Sequence, residues 1–504
     1  MTRLGSGAVA VGRAASPLVL ALDVGTSSCR AGLFDGVGRR VAVRPGQLPT
    51  PVDLTTDGGA EVDADRLVAT VTATIDGLLG RPDLAGRSIE VVALCTFWHG
   101  LLGIDDGAQA VTPVYFWLDG RARDDARALQ ERLDERAVHA RTGCVLHATY
   151  WPAKLRWLHR TRPALARRVR RWVSFGDYLL IRQFGRAATS VSMASGTGLL
   201  DQHTLTWDEE LLRELSLDPD RLPAIDRGPE PLTSLRAELA CRWPALRAAA
   251  WLPAIGDGAA SNLGAGCVTR DRLALMIGTS GALRALWRAE RFAIPWGAWA
   301  YRADAGRVVL GGALNDGGSL FAWLRRSFRL PGRRAAEAAV AALAPDSHGL
   351  TVLPYWGGER SPRWAPDARG AVVGLRLETT PIEILRAALE AVALRFACLE
   401  AILRPIVPEA REVVATGGAL LGSPAWLQIL ADALGRPIRA STEPEASSRG
   451  AALLALETLG RLSVPIEAQP APSGRVYEPV PEHTQRYREA TARQSQLYER
   501  LVAP

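Results

Sequence analysis

A weak internal repeat divides this chain into two halves and constrains its fold more than any other feature of the sequence. The stretch Leu-Ala-Leu-Asp-Val-Gly-Thr-Ser-Ser-Cys begins at Leu20, and Leu-Ala-Leu-Met-Ile-Gly-Thr-Ser-Gly-Ala begins at Leu273. Each copy is an apolar segment, then Gly-Thr-Ser, then a second apolar segment. The two Gly-Thr-Ser elements start at Gly25 and Gly278, about half of the 504-residue chain apart. Because similar segments at a long spacing indicate duplication, we expect two lobes of similar fold.

Both copies predict a strand that turns directly into another strand. The second apolar segments, Cys29–Phe34 and Ala282–Trp287, are too short and too β-like for helices. After the first pair, a turn and the segment Arg39–Arg44 predict a third strand, so the lobe begins with an antiparallel meander. Helices are predicted for Ala64–Leu79 and Arg123–Ala137. Mixed sheets flanked by helices, twice over, indicate the α/β class.

A single lysine excludes the commonest ATP-binding motifs. Of the 60 Lys and Arg residues, only Lys154 is lysine. A Walker A loop requires Gly-Lys-Ser/Thr, and a protein kinase requires a lysine on its third strand. Lys154 stands in Trp-Pro-Ala-Lys-Leu, which matches neither motif. An ATP-dependent enzyme with this sequence must therefore hold phosphate in another way.

The composition indicates a globular protein that binds neither nucleic acid nor a membrane. The net charge is +7, but the basic residues are scattered and lack the concentrated footprint of a nucleic-acid surface. No apolar run approaches the roughly 18 residues of a membrane span. Residues 1–16 have the composition of a loose extension and not of a secretory signal. The six cysteines are far apart, without a CxxC pair, which is typical of reduced thiols in a cytoplasmic protein.

The two Gly-Thr-Ser turns are candidate phosphate sites. Glycine lets a tight turn present backbone N–H groups to an oxyanion, and hydroxyl side chains add donors. The first copy supplies Thr26 and Ser27, and the second supplies Gly278 and Thr279. Asp23, at the end of the preceding strand, could hold Mg²⁺ directly or through water. An ordinary hairpin explains either copy alone, but two copies in one chain favour phosphate binding.

Asp257 is the candidate general base. It lies between two glycines at the start of a predicted helix, Ala259–Gly264, where a carboxylate can approach a substrate closely. Its task would be to take the proton of the substrate hydroxyl. A helix N-cap is the alternative, because Asp is favoured there too.

A glycine pair precedes a well-marked helix further along the chain. Gly417 and Gly418 suit the close approach of a flat base or a ribose, or else form a plain turn. Ser423 is a good N-cap residue, Pro424 a good first helical residue and Gly435 a helix stop.

The predicted lobe boundary lies near Trp251–Gly256, after a stretch rich in Pro, Gly and charge. The terminal helix, at about Thr484–Leu501, is expected to pack back on the body. The expected division is an N-terminal extension, 1–16; an N-terminal lobe, 17–254; a C-terminal lobe, 255–460; and a tail with its helix, 461–504.

Taken in order, these motifs resemble those of the FGGY carbohydrate kinases from about Val19 to Leu459. The resemblance implies two actin-like, ribonuclease H-like lobes around a central cleft, with ATP and Mg²⁺ as cofactors. It also implies that the N-terminal lobe binds the sugar and the C-terminal lobe the nucleotide. The segments that carry it are Asp-Val-Gly-Thr-Ser-Ser-Cys-Arg from Asp23, Trp-Leu-Asp-Gly-Arg from Trp117, Gly-Asp-Gly from Gly256, Ile-Gly-Thr-Ser-Gly from Ile277, Gly-Glu-Arg-Ser-Pro from Gly358 and Ala-Thr-Gly-Gly-Ala from Ala415.

The resemblance also implies roles for individual residues. Asp257 matches the family's catalytic Asp, Asp23 its metal-associated Asp and Thr26 a residue of its phosphate loop. The residues that fall where the family holds nucleotide are Thr279, Gly318, Gly417, Gly418 and Ser423. Those that fall in its sugar pocket are Trp98, His99 and Trp117.

Within the family, the chain resembles most the bacterial gluconate kinases, for example in Ser-Met-Ala-Ser from Ser192 and Thr-Trp-Asp-Glu-Glu from Thr206. This implies a small-molecule partner, D-gluconate, phosphorylated to 6-phosphogluconate. Xylulose kinases resemble the chain at Trp-His-Gly from Trp98 but typically carry Met before the His. Xylulose, another ketose or a polyol is the alternative substrate, and an actin-like nucleotide switch without kinase activity is the alternative of another class. A homodimer is compatible with the sequence.

A gluconate substrate requires a cation for its carboxylate. The candidates are Arg121, Lys154, Arg360 and His147. Lys154 stands out because a compact ammonium can donate where a planar guanidinium does not fit. Its apolar neighbourhood equally suits a surface lysine with a buried stem.

Overall fold

Two lobes, each built around a mixed sheet, make up the fold. The computed structural model describes residues 8–186, 188–228, 230–471 and 474–502. Residues 1–7 of the predicted extension, and residues 472, 473, 503 and 504 of the predicted tail, lie outside the described residues.

Up to residue 264, the strands are β1 Val19–Val24, β2 Ser28–Phe34, β3 Gly46–Pro49, β4 Asp53–Leu54, β5 Ala60–Val62, β6 Val91–Thr96, β7 Leu102–Ile104, β8 Val114–Tyr115, β9 Arg171–Val173, β10 Thr189–Ser190, β11 Ile225–Asp226, β12 Ala250–Trp251 and β13 Ile255–Gly256. The helices of this part are α1 Ala64–Leu79, α2 Arg123–Arg132, α3 Glu135–Thr142, α4 Trp151–Thr161, α5 Pro163–Arg168, α6 Phe175–Phe184, α7 Val191–Ser195, α8 Glu209–Glu214, α9 Ala237–Arg242 and α10 Asp257–Gly264.

Beyond residue 264, the strands are β14 Arg272–Ile277, β15 Gly281–Arg288, β16 Trp299–Arg302, β17 Arg307–Leu314, β18 Thr351–Leu353, β19 Ala371–Val373, β20 Glu412–Thr416, β21 Ile438–Ala440 and β22 Val476–Tyr477. The helices of this part are α11 Gly318–Ser327, α12 Arg333–Ala342, α13 Pro381–Leu403, α14 Gly418–Leu421, α15 Pro424–Leu434, α16 Ala446–Thr458 and α17 Pro481–Leu501.

The two main sheets share one strand order. The first contains β3-β2-β1-β6-β12 and the second contains β17-β15-β14-β20-β21. In both sheets the first two pairings are antiparallel and the last two are parallel. The first sheet is extended by β13 beside β6, and the second by the edge strands β16 and β22. The shared order is the structural form of the internal repeat and confirms the predicted pair of actin-like α/β lobes.

Helix α1 has the limits that the sequence predicts and packs on β2 and β3 of the first sheet. Asp63 caps it by accepting a hydrogen bond from the N–H of Arg66 (2.8 Å). Gly46 of β3 comes so close that a Cβ atom there would lie 2.1 Å from the carbonyl oxygen of Thr74. The buried apolar face of the helix consists of Leu67, Val71, Ile75 and Leu78.

The prediction of a third strand at 39–44 is wrong in position. This segment forms only isolated bridges, from Arg40 to Phe34 and from Val41 to Val9, and the third strand of the sheet is β3. The Val-Ala-Val run between arginines resembles a strand, but the close packing against α1 requires the glycine at position 46. The position of the strand is therefore decided by the helix that covers it.

The predicted helix 123–137 is two helices, α2 and α3. Leu133 is extended, and Asp134 starts α3 by accepting hydrogen bonds from the N–H groups of Arg136 and Ala137. An Asp side chain competes for backbone donors in this way and so favours a helix start over a helix interior.

The chain beyond residue 461 completes the C-terminal lobe. β22 pairs with β21 at the edge of the second sheet, and α17 packs on α13, α15 and β18. The buried hydroxyl of Tyr487 accepts from Arg386 (2.9 Å) and donates to Glu390 (2.9 Å). The terminal helix begins slightly earlier than predicted and packs on the body. No helix in the described ranges is long and apolar enough to cross a membrane.

Helices α10 and α16 cross with their backbones in contact. A Cβ atom on Gly264 would lie 1.8 Å from the carbonyl oxygen of Ala446, and one on Gly450 would lie 1.8 Å from that of Ala260. Only glycine permits so close an approach. Helix α10 follows β13 of the first sheet and contacts β15 of the second, while α16 packs on β1 and β6. The crossing therefore joins the lobes and holds α10 between them.

Candidate active site

Two carboxylates lie at the carboxyl ends of two strands of the first sheet, β1 and β13, which lie on either side of β6. Asp23 of β1 pairs in register with Cys95 of β6, which pairs with Ile255 of β13. Asp257 follows β13 as the first residue of α10. It therefore lies two residues beyond the position that is level with Asp23, and β6 separates the two strands. The helix thus starts earlier than predicted, and Gly256 occupies the N-cap position. Asp257 is therefore not the N-cap residue of this helix.

In the described part of the chain neither carboxylate makes an ion pair. Asp23 accepts a thiol contact from Cys95 (3.5 Å), and Asp257 accepts the N–H of the following residue (2.8 Å). Burial, and then the charge of Asp257, raise the pKa of Asp23 to about 7. Burial also raises the pKa of Asp257, against the charges of Arg284 and Arg360. Two partly buried acids that form no ion pair suit a divalent cation that prefers oxygen ligands.

The first Gly-Thr-Ser turn follows β1 directly. Its ends are joined by a hydrogen bond from the N–H of Gly25 to the carbonyl of Ser28 (3.0 Å). Ser27 is exposed. The hydroxyl oxygen of Thr26 accepts from the indole N–H of Trp117 (3.1 Å). The turn therefore presents one hydroxyl to the solvent and connects the other to the predicted sugar pocket.

The second turn brings three of the predicted nucleotide-binding glycines together. The N–H of Gly318 donates to the carbonyl of Gly278 (2.8 Å), which fixes the N-terminus of α11 on the turn. Gly417, at φ 92°, is equally close, because a Cβ atom there would lie 2.4 Å from the carbonyl oxygen of Ile277. Thr279 is exposed at the tip. Backbone N–H groups beside a helix N-terminus are a favourable environment for phosphate.

A cavity of about 350 Å³ opens beside Gly418 and Ser423. Ser423 accepts from the N–H of Trp426 (3.3 Å), which caps α15 as predicted, and donates to Glu337 (2.8 Å). Phe321, Leu389 and Trp426 supply apolar lining. The volume and the mixed lining are typical of a ligand pocket and suit a purine ring.

Aromatic side chains from both lobes surround the predicted sugar-binding residues. The rings of Trp98 and Tyr301 have centroids 4.7 Å apart, and the indole N–H of Trp98 donates to the carbonyl of Ser192 (2.9 Å). His99 has φ 68° and lies against Tyr150, with ring centroids 5.1 Å apart. Burial lowers the pKa of His99 well below its usual value, so its imidazole is neutral. Apolar walls with few polar groups are typical of small-molecule sites.

Two of the candidate cations are engaged by the protein itself. The guanidinium of Arg121 forms ion pairs with Glu61 and Asp119, so its charge is already balanced by the protein. Lys154 is only 1% exposed, so it is not a surface lysine. Its ammonium donates to two backbone carbonyl oxygens, one of them that of His99 (3.0 Å). Burial lowers the pKa of Lys154 to about 7. Lys154 thus supports the backbone of the pocket.

Arg360 forms no ion pair with any acidic residue that the structure describes. Its guanidinium lies over the ring of Trp117, 5.1 Å from the ring centroid, and 5.9 Å from that of Trp364. Its Nε is buried and has no hydrogen-bond partner among the described residues, and no ion pair forms there. Burial, and then the charge of Arg360, lower the pKa of His147 to about 3, so that this imidazole is neutral.

Arg284 belongs to this site and was missed by motif reasoning. It lies in β15, directly after the second turn, and is only 4% exposed. Its charge is the first to oppose the burial effect on the pKa of Asp257. An arginine in the middle of an apolar strand is the signal that could have revealed it, because arginine is almost never fully buried unless paired.

Known sequence families match both lobes. The FGGY family of carbohydrate kinases matches with its N-terminal domain at residues 18–264 and with its C-terminal domain at residues 273–458. The chain belongs to the FGGY family of carbohydrate kinases. The resemblance in the motifs is thereby confirmed, and with it the assignment as a carbohydrate kinase of a family that uses ATP.

Similar FGGY kinases are named for different substrates. A gluconokinase of Bacillus subtilis is 27% identical over 459 residues, which cover 88% of both chains. A glycerol kinase of Acidovorax is 30% identical over 469 residues, which cover 87% of this chain and 89% of the other. Solved structures of a gluconate kinase and a ligand-bound xylulose kinase, both from Lactobacillus acidophilus, have TM-scores of 0.88 and 0.89 at 28% and 27% identity. Each covers 96% of this chain and 98% of its own.

Proposed function

We propose that this FGGY kinase transfers the γ-phosphoryl group of ATP to the terminal hydroxyl of D-gluconate and forms 6-phosphogluconate. The observation that carries the choice of a sugar acid is the unpaired guanidinium of Arg360 over Trp117. A buried charge without a partner is unfavourable. A substrate carboxylate would supply the partner through charge-assisted hydrogen bonds. The similarity to kinases named for gluconate supports this choice.

The proposed ATP site runs from the cavity beside Gly418 to the two Gly-Thr-Ser turns. The cavity takes the base, and the backbone around Gly278 and Gly318 takes the phosphates. Asp23 is the proposed ligand of Mg²⁺, directly or through water. When bound, Mg²⁺ supplies positive charge that stabilises the transferring phosphoryl group. The hydroxyls of Thr26 and Ser27 add donors at the same point.

Asp257 is the proposed general base. Burial raises the pKa of its carboxyl, which makes the carboxylate a better proton acceptor than an ordinary Asp. It remains partly exposed at the N-terminus of α10, between the aromatic pocket and the turn regions. Trp98 and His99 form the walls that orient the sugar and exclude water. Exclusion of water favours transfer to the sugar hydroxyl over hydrolysis of ATP.

A panel of acceptors tests the proposal. Gluconate, xylulose and glycerol are offered with ATP and Mg²⁺, and both ADP and phosphorylated product are measured. We expect the highest kcat/KM with gluconate. A higher kcat/KM with xylulose or glycerol would overturn the sugar acid and leave a kinase of a ketose or polyol. ATP hydrolysis that no acceptor stimulates would favour an actin-like nucleotide switch.

A further inference from the structure

A buried arginine lies beside the proposed base, and no carboxylate among the described residues comes close enough to form an ion pair with it. Arg284 is 4% exposed, and its Nε donates to Oδ1 of Asn262 (2.9 Å). Its Nη2 is buried and has no hydrogen-bond partner in the part of the chain that the structure describes. Burial of a guanidinium in this way is unfavourable unless another charge compensates for it. Packing alone therefore does not explain why an arginine is buried at this position.

Two glycines leave the space that this side chain occupies. Gly311 is its partner in the neighbouring strand β17, and a Cβ atom there would lie 2.8 Å from Cγ of Arg284. A Cβ atom on Gly258 would lie 3.1 Å from Nη1 of Arg284. The guanidinium thus extends from β15 toward the first turn of α10. Gly258 is the residue that follows Asp257, so the cation lies next to the proposed base.

Helix α10 supplies both residues that face the guanidinium of Arg284, Asp257 and Asn262. Asn262, near its C-terminal end, binds Nε of Arg284, and Asp257 is its first residue. Burial lowers the pKa of Arg284 to about 10. Among the neighbouring charges, that of Asp257 raises this pKa most. The other charged or titratable groups around Asp257 come from separate elements: Asp23 from β1, Cys95 from β6 and Arg360 from the segment after β18. Arg284 is the cation that has the strongest effect on Asp257.

We propose that Arg284 is a positioning residue for phosphoryl transfer: clamped by Asn262, its guanidinium is the fixed counter-charge that orients the carboxylate of Asp257 toward the acceptor hydroxyl. The inference rests on the proposed role of Asp257 as general base. Arg284 adjoins the reacting end of the acceptor, whereas Arg360 is proposed to bind the carboxylate at the other end. Loss of Arg284 should therefore lower kcat with every acceptor and leave the preference among acceptors unchanged.

A double-mutant cycle tests this relationship. kcat and KM are measured for the wild type, R284M, D257N and the double variant, with the acceptor that the wild type phosphorylates fastest. We expect R284M to lower kcat about 100-fold, as misplacement of a catalytic group by about 1 Å can do, with little change in KM for ATP. If Arg284 acts through Asp257, the double variant is no slower than D257N. R284K, which keeps the charge, should recover part of the rate.

R288M is the matched control, because Arg288 lies on the same strand with 55% of its side chain exposed and pairs with Glu467. It should turn over like the wild type. If R284M does not fold, the cycle is run with R284Q instead, which also removes the charge. The proposal is overturned if folded R284M or R284Q turns over at the wild-type rate, or if the two losses multiply in the double variant. Near-normal turnover by D257N would instead reject the base itself, and the inference with it.

Discussion

The indole ring of Trp98 occupies the space that any side chain at Gly256 would need. A Cβ atom at Gly256 would lie 1.8 Å from Cε2 and 2.1 Å from Nε1 of Trp98. The ring cannot move away freely, because its N–H donates to the carbonyl of Ser192 (2.9 Å). The wall of the proposed sugar pocket and the backbone that precedes Asp257 therefore determine each other's position.

We expect G256A to lower kcat about 100-fold, because the added methyl group must displace either Trp98 or the proposed base. Steady-state kinetics and a thermal melt separate loss of activity from loss of fold. G332A is the matched control, since a Cβ atom at Gly332 meets nothing within 4 Å. Unchanged kcat in folded G256A would show that the contact does not position the base.

Substitution D257N should lower kcat by about 100- to 10,000-fold, the range for loss of a positioned general base. ATP affinity should change little, because the nucleotide is proposed to bind at the two turns and the cavity beside Gly418. Isothermal titration with ATP and a coupled assay for ADP measure the two quantities. D106N, at a side chain that is 91% exposed, is the control. Turnover within a few-fold of the wild type would reject Asp257 as the base.

Substitution R360M should lower kcat/KM for gluconate by about 10- to 100-fold, as expected for loss of a hydrogen bond to a charged group. The best neutral acceptor in the panel should be affected much less. The ratio of the two kcat/KM values is the measurement, and R369M, at an arginine bonded to backbone carbonyls, is the control. An equal loss on acidic and neutral acceptors would contradict a role of Arg360 in binding the carboxylate.

The buried Lys154 should make stability depend on pH. Burial lowers its pKa to about 7, whereas an unfolded chain has a lysine pKa near 10.4. Between these values the unfolded state binds a proton that the folded state lacks, so the free energy of unfolding rises with pH by up to about 1.4 kcal/mol per unit. Urea titrations at pH 7, 8 and 9 measure it. The slope should be lower in K154M by that amount, and equal slopes would contradict the low pKa.

The elements that the sequence predicts well are those whose limits depend on residues close together in the chain. Helix α1 has the predicted limits because Asp63 caps it and Gly80 ends it. Helix α15 likewise runs from the Ser423 cap to Gly435, which adopts the left-handed conformation. The two Gly-Thr-Ser turns could be predicted for the same reason, because the residues that make each turn are adjacent in the chain.

Contacts between distant segments decided the rest. Arg121 is engaged by Glu61, 60 residues earlier, and no local pattern marks that pair. The third strand of the first sheet is placed by the approach of α1 to Gly46. Arg284 becomes significant only when β15 packs under α10 and brings it beside Asp257. For such residues, sequence alone shows an unusual residue type and does not show its partner.

The glycine crossing of α10 and α16 constrains the position of the proposed base. Because the backbones touch at Gly264 and Gly450, no layer of side chains lies between the helices to absorb a change in the angle between the lobes. Asp257 lies at the opposite end of α10, about 10 Å from Gly264 at 1.5 Å per residue. The contact also includes Ala260, three residues after Asp257, because its carbonyl oxygen faces Gly450. A change in the angle between the two helices would press backbone against backbone along this stretch. We therefore expect the crossing to fix the direction of α10, and with it the position of the proposed base, relative to α16.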